Sequence, residues 1–144
     1  MSDWFAHRFP VSVKGIVWVD GKIVLLKNER EEWDLPGGKL GRKEELEAAL
    51  EREMEEELGI VVEVGALLHA FRAAIQQQIN VLIVVYHCTT NARAEELRLS
   101  GESFAIGLFR PEELVKLTLA QPIYASIITQ TIEQHTPENT FTKQ

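Results

Sequence analysis

Only one cysteine, Cys88, occurs in the 144 residues, inside the apolar run VLIVVYHC. This excludes an intrachain disulfide and a multi-cysteine zinc site, and the apolar setting predicts a buried thiol. Long hydrophobic runs are missing too. No stretch approaches the ~18 apolar residues of a membrane span, and the opening MSDWFAHRFP has neither a basic start nor an apolar run. A cytoplasmic protein with no membrane partner is expected. No stripe of basic residues is present, which disfavours long nucleic acid as a partner. Internal repeats and low-complexity linkers are also lacking. A chain of this length builds one hydrophobic core and not two. The expectation is a single domain over residues 1–134 and a polar tail over 135–144.

Acidic residues are plentiful, and they are concentrated. The formal charge is -7, from 22 acids and 15 bases; Glu44 to Glu57 contains eight of those acids and one base, leaving 14 of each elsewhere. One segment therefore carries the whole imbalance, whereas acidity kept for solubility would be spread over the surface.

VSVKGIVWV and KIVLLK flank Asp20-Gly21, a pair suited to the left-handed angles of a two-residue hairpin. In NEREEWDLPGGKLGRK the proline and glycines predict a loop without regular elements, and Glu44 to Leu58, free of both, predicts a helix stopped by Gly59. IVVEVGALLHAF and INVLIVVYHC read as central strands, and SFAIGLF as a further short strand. PEELVKL and PIYASIITQTIEQ read as helices opened by Pro111 and Pro122. The order predicts an α/β or α+β fold, a mixed sheet between helices.

On the helix, at about 100° per residue from Leu46, Leu50, Met54 and Leu58 fall near +40°, +80° and +120° and define an apolar sector. Glu53 and Glu57 fall near -20° and +20°, at its edge, and Glu56 near -80° on the same side. Only Glu55 points away as plain solvated charge. Carboxylates gathered at the rim of a core repel one another and lose hydration unless a cation sits between them. Magnesium, a hard ion that shares its sphere with phosphates, suits such ligands. A solvated charged helix with no metal affinity is the competing reading. The loop LPGGKLG, just before the helix, allows close backbone approach, and Gly38 offers a carbonyl.

These residues form a recognisable pattern. Gly38, five residues, Glu44, seven residues, then Arg52-Glu53-Met54-Glu55-Glu56-Glu57-Leu58-Gly59-Ile60 resembles a complete Nudix box, and WDLPGG before it resembles the usual approach to that box. Gly41 and Lys43 depart from residues common in the loop, Lys43 standing where a glycine often takes a special backbone angle. The resemblance to Nudix hydrolases (MutT-like) implies an α/β/α sandwich with a mixed β-sheet. It also implies magnesium-dependent, or manganese-dependent, hydrolysis of a pyrophosphate linkage. The substrate would be a small-molecule nucleoside diphosphate derivative: a nucleoside triphosphate, a nucleotide sugar or similar.

Carried over by position, Glu53, Glu56 and Glu57 are the metal ligands with the Gly38 carbonyl. Arg52 orients Glu56, Glu44 is structural at the helix start, and one of the glutamates or Glu102 in LSGESF takes the proton from water. A homodimer is common in the family. For substrate binding, Trp33, Phe71 and Phe104 are the aromatic candidates and Arg30 and Arg72 the phosphate candidates, each against an ordinary core or surface role. His69 and His87, within strands, are expected to pack and not to ligate. A nucleotide-binding sensor on the same fold, without turnover, is the alternative function; the intact acidic set argues against it.

Overall fold

A computed structural model describes residues 6, 8–75, 79–100 and 103–135. Glu102 and residues 136–144 of the expected tail lie outside that range. Strands β1 (Val11–Val19) and β2 (Lys22–Lys27) form the expected hairpin: Asp20 and Gly21 turn with φ of 52° and 78°. Two short strands follow within the segment expected to be irregular, β3 (Trp33–Asp34) and β4 (Gly37–Lys39). They exist because long-range partners recruit them. Trp33 and Asp34 pair with Lys27 and Leu26, and Gly37 to Lys39 pair with Lys14 to Ser12. Helix α1 (Leu46–Leu58), β5 (Glu63–Ile75), β6 (Ile79–Thr89), β7 (Ala105–Phe109) and α2 (Tyr124–Thr129) complete the fold.

The sheet runs β3-β2-β1-β6-β5, with β4 also on β1 and β7 on β2. β1 and β6 are parallel and the other pairs antiparallel. β6 is central, as its apolar run predicts. β5 is not: it forms the edge, and its exposed positions show that its apolar sequence is covered on one side only.

Alternation along the strands sorts the core into two layers. Val13, Val17, Val24, Leu26, Val84 and Tyr86 face α1 and its Ala49, Leu50, Met54 and Leu58. Ile16, Trp18, Ile23, Leu25, Ile83 and Val85 face α2 and its Tyr124, Ile127 and Ile128. The expected helix–sheet–helix sandwich results. Cys88 is buried in the first layer, and burial pushes its thiol up to about 12.

Both C-terminal helices fall short of expectation. Pro111–Lys116 is a 3₁₀ helix. Its chain leaves at once to bond β3, with Trp33 N–H donating to Thr118 O and Ala120 N–H to Trp33 O. α2 ends at Thr129 because Thr131, fully buried, donates its hydroxyl to Ile128 O and accepts the Trp18 indole N–H at 2.8 Å.

Gly15 sets how closely α1 approaches the sheet. A Cβ there would overlap the Met54 methyl, 3.0 Å from Cys88 Sγ and 3.5 Å from Leu50. Gly15→Ala is expected to lower stability by about 1–3 kcal/mol through overpacking. Urea unfolding at constant m-value checks this, and an unchanged midpoint would refute the close contact.

Candidate active site

The buried arc of α1 is wider than the sequence suggested. It includes Ala49, near -60° on the helix wheel, so Glu53 and Glu57 fall between its buried positions by angle while their side chains stay half-buried. They are tolerated because the second half of the helix faces β4, where Gly37 and Gly38 present backbone in place of side chains. Gly37 has φ 140°, and a Cβ would collide with Val13 O, 2.0 Å from its built position in a contact no side chain survives. At Gly38 a Cβ would occupy the space of the Glu53 carboxylate. This glycine pair is what lets two carboxylates stand between helix and sheet.

Gly37 N–H donates to Glu57 Oε1 at 2.7 Å. Burial still pushes the Glu57 carboxyl up to about 7; the Gly37 bond and nearby Lys14 oppose the shift, while Glu53 and Asp34 add to it. Glu56 differs from the expectation. Its side chain is 59% exposed against 16% for Glu53, so solvent, and not the core edge, surrounds it.

Arg52 ties the acids together. Its guanidinium donates to Glu44 Oε2 at 2.7 Å and Oε1 at 3.0 Å, to Glu53 Oε1 at 3.2 Å, and to Glu56 Oε2 at 3.0 Å. Glu44 lies outside α1, whose N-cap is Glu45; it caps the loop by accepting Gly41 N–H at 2.7 Å. The Arg52 hydrogen bond, first, and the Gly41 bond lower the Glu44 pKa. The loop's departure at Lys43 is accommodated in the left-handed region, φ 64°, at a cost of roughly 1–2 kcal/mol for a residue with a Cβ.

The donor set suits a hard divalent cation: carboxylate oxygens on adjoining turns, the Gly38 main chain beside them, and a half-buried carboxylate whose charge lacks a full counterion. Among the described residues no three acidic or imidazole side chains already stand at mutual ligating distance, because Arg52 draws Glu53 and Glu56 to itself and Gly37 holds Glu57.

The other candidates disperse. Trp33 packs edge-on against Phe109 at 4.8 Å with Lys27 over its ring. Phe71 meets Tyr124 and His69, and Phe104 is 64% exposed. Arg30 pairs with Glu29 and Glu32 at the rim of a cavity of about 200 Å³ that also contains Lys14, Asp34, Lys39 and Tyr124. Arg72 lies on the edge strand β5, bonded to Asn80 and set over Phe9, away from the acidic face of α1. His87 is buried, with its pKa lowered by burial, and His69 stacks on Phe71. A larger cavity of about 530 Å³ around Val61, Thr90 and Asn91 has Glu51 and Glu63 but no cation in its lining, so an anionic ligand is better served by the smaller one.

Sequence reasoning missed Lys14 and Asp34, which pair at 3.5 Å while Lys14 donates to Leu35 O at 3.2 Å. The available signal was one lysine in the otherwise apolar strand VSVKGIVWV.

Residues 8–130 match the family model of the NUDIX domain. A MutT-like protein of Streptomyces ambofaciens is 33% identical over 106 residues, 72% of this chain and 66% of that protein, so the match spans slightly under two thirds of that relative. The crystal structure of a MutT NUDIX hydrolase from Burkholderia pseudomallei is 29% identical, covers 88% of this chain and 99% of that one, and has a TM-score of 0.67. That of a MutT protein from Methanosarcina mazei Go1 is 20% identical, covers 90% and 97%, and has a TM-score of 0.73; at that identity the likeness is one of fold.

Proposed function

The chain belongs to the Nudix family, and from that premise we propose that it is a magnesium-dependent pyrophosphohydrolase. Its substrate is a small nucleoside diphosphate derivative, cut to a nucleotide and a phosphorylated remainder. The observation carrying this reading is the packing of Glu53 and Glu57 against a strand of bare glycine backbone, with Arg52 bonded to Glu44, Glu53 and Glu56. A structural helix has no use for a half-buried carboxylate pair, and a pure nucleotide binder would be repelled by it.

Glu53, Glu56, Glu57 and the Gly38 carbonyl would hold the cation. When bound, magnesium neutralises phosphate charge and makes water a better nucleophile. Arg52 fixes the direction of Glu53 and Glu56, and Glu44 fixes Arg52. Lys14 and Lys39, at the neighbouring cavity, supply positive charge to the anionic substrate. Arg30, in the lining of that cavity, and Trp33, next in the chain to its Asp34, are assigned to the remainder of the substrate. Among the described residues no helix is long and apolar enough to cross a membrane.

Glu102 is the proposed general base. The chain on either side of it is anchored beside the site: Ser100 donates through its hydroxyl to Glu56 O and through its N–H to Glu57 O, and Phe104 N–H donates to Lys27 O. Glu102→Gln is expected to lower kcat by roughly 10²–10⁴ at unchanged KM; a near-normal rate would remove it from the mechanism. The function as a whole is tested by phosphate release with magnesium across nucleoside triphosphates, ADP-ribose, nucleotide sugars and dinucleoside polyphosphates. Turnover of one class confirms the reaction and names the substrate. Binding without turnover across the panel overturns it in favour of a sensor.

A further inference from the structure

We propose that Ser100 is a positioning residue for the site, pinning from a distant part of the chain the last turn of α1, which carries Glu56 and Glu57. The inference rests on the ligand role proposed for those two glutamates. A helix leaves the carbonyls of its last turn without donors of its own, and in α1 these belong to Glu55, Glu56, Glu57 and Leu58. Gly59 N–H bonds the first, at 3.0 Å to Glu55 O. One remote segment bonds the other three. The Ser100 hydroxyl donates to Glu56 O, Ser100 N–H to Glu57 O at 3.3 Å, and Arg98 N–H to Leu58 O at 2.9 Å. Ser100 thus takes the main-chain carbonyls of both acids in this turn. No basic side chain of the turn itself stands in for it.

The segment is itself fixed, so it acts as a splint. Ala94 N–H donates to Asp20 Oδ2 at 3.0 Å, tying it to the turn between β1 and β2. Ala92, Ala94 and Leu97 pack against the α1 layer of the core. The stem of Arg98 covers Gly59, 3.6 Å from the position a Cβ there would take. Arg52 and Gly37 hold Glu56 and Glu57 by their carboxylates, whereas Ser100 holds them by the backbone from which those carboxylates hang. Without its bonds the turn is free to fray, and metal binding must first select the formed state. Ser100 is exposed and water replaces its hydroxyl at Glu56 O, so the fold as a whole loses little. Positioning and stability are therefore separable by experiment.

Ser100→Ala removes the hydroxyl and keeps the N–H. The dissociation constant for magnesium, by calorimetry on the full chain, should rise about two- to fivefold, and the magnesium concentration for half-maximal hydrolysis with it. The melting midpoint of the metal-free protein should stay within about 2 °C of wild type. Ser100→Thr, which retains the hydroxyl, should return the magnesium constant to the wild-type value. In the metal-free protein, amide hydrogen exchange at residues 57–59 should quicken by about the same factor in Ser100→Ala, with residues 50–54 unchanged. A lower melting midpoint with an unchanged magnesium constant marks a merely structural cap and overturns the proposal. No return in Ser100→Thr, or unchanged exchange at 57–59, overturns it equally. A wild type that binds no magnesium overturns the assigned function, and the exchange comparison then still decides whether Ser100 pins the turn.

Discussion

Glu57→Gln is expected to abolish hydrolysis while making the metal-free protein more stable. The substitution keeps the shape and the acceptor for Gly37 N–H but removes a charge from a half-buried position beside Glu53 and Asp34. The sign follows from proton binding. Glu57 titrates at about 7 in the folded chain against 4.5 in the unfolded one, so between those values the native state retains a proton the unfolded state has released. Stability of the metal-free wild type therefore falls as pH rises through this window, by about 3 kcal/mol in all.

Glutamine has no such loss. Melting curves from pH 4 to 8 (about the range of that titration) should converge for the two proteins at the acid end and diverge in favour of the variant above neutrality. Saturating magnesium should reverse the order, stabilising the wild type by about 2.7 kcal/mol at a hundred times its dissociation constant and leaving the variant unmoved. The loss of kcat should exceed about a hundredfold, some 3 kcal/mol of barrier. Retained turnover, or an equal magnesium shift in both proteins, would remove Glu57 from the ligand set.

The expected opposition of stability and activity at one residue is also why the candidate site stands out in the sequence. Local consistency governs most of the chain: the hairpin at Asp20-Gly21, the helix stopped by Gly59 with φ 71°, and the alternation of β1, β2 and β6 are each stated by neighbouring residues. Glu53 and Glu57 break the rule for an amphipathic helix, and such a break marks function. What stayed hidden depends on residues distant in sequence. β3 and β4 have no propensity of their own, and form because Lys27 and Lys14 offer ladder partners. β5 reads as a central strand because composition reports apolar character and not how many neighbours share it. The early end of α2 depends on Trp18, more than a hundred residues earlier. Lys14 and Asp34 come together only when β1 and β3 join one sheet.

Arg52→Lys is expected to weaken metal-dependent turnover far more than it weakens the fold. Three carboxylates converge on one guanidinium, two of its bonds forming a fork onto Glu44, and the Glu44 hydrogen bond, above all, holds Arg52 firmly protonated. Lysine keeps the charge but presents a point in place of a planar fork. It reaches one or two of those oxygens and frees Glu53 or Glu56 to swing. Residues that orient ligands in this way typically contribute 10–100-fold (roughly 1.4–2.8 kcal/mol) to affinity or rate. The magnesium concentration for half-maximal activity should therefore rise by about that factor, with kcat partly recovered at high magnesium.

Stability should fall by less than about 1 kcal/mol, because the guanidinium is more than a third exposed and solvent screens its pairs. Glu44→Gln should give the same displacement in smaller degree, since it loosens Arg52 without removing it. A purely structural arginine predicts the reverse pattern, a lower melting temperature with the magnesium requirement unchanged. Titrating activity against magnesium in Arg52→Lys beside its thermal melt separates the two, and an unchanged half-maximal concentration would end the orienting role.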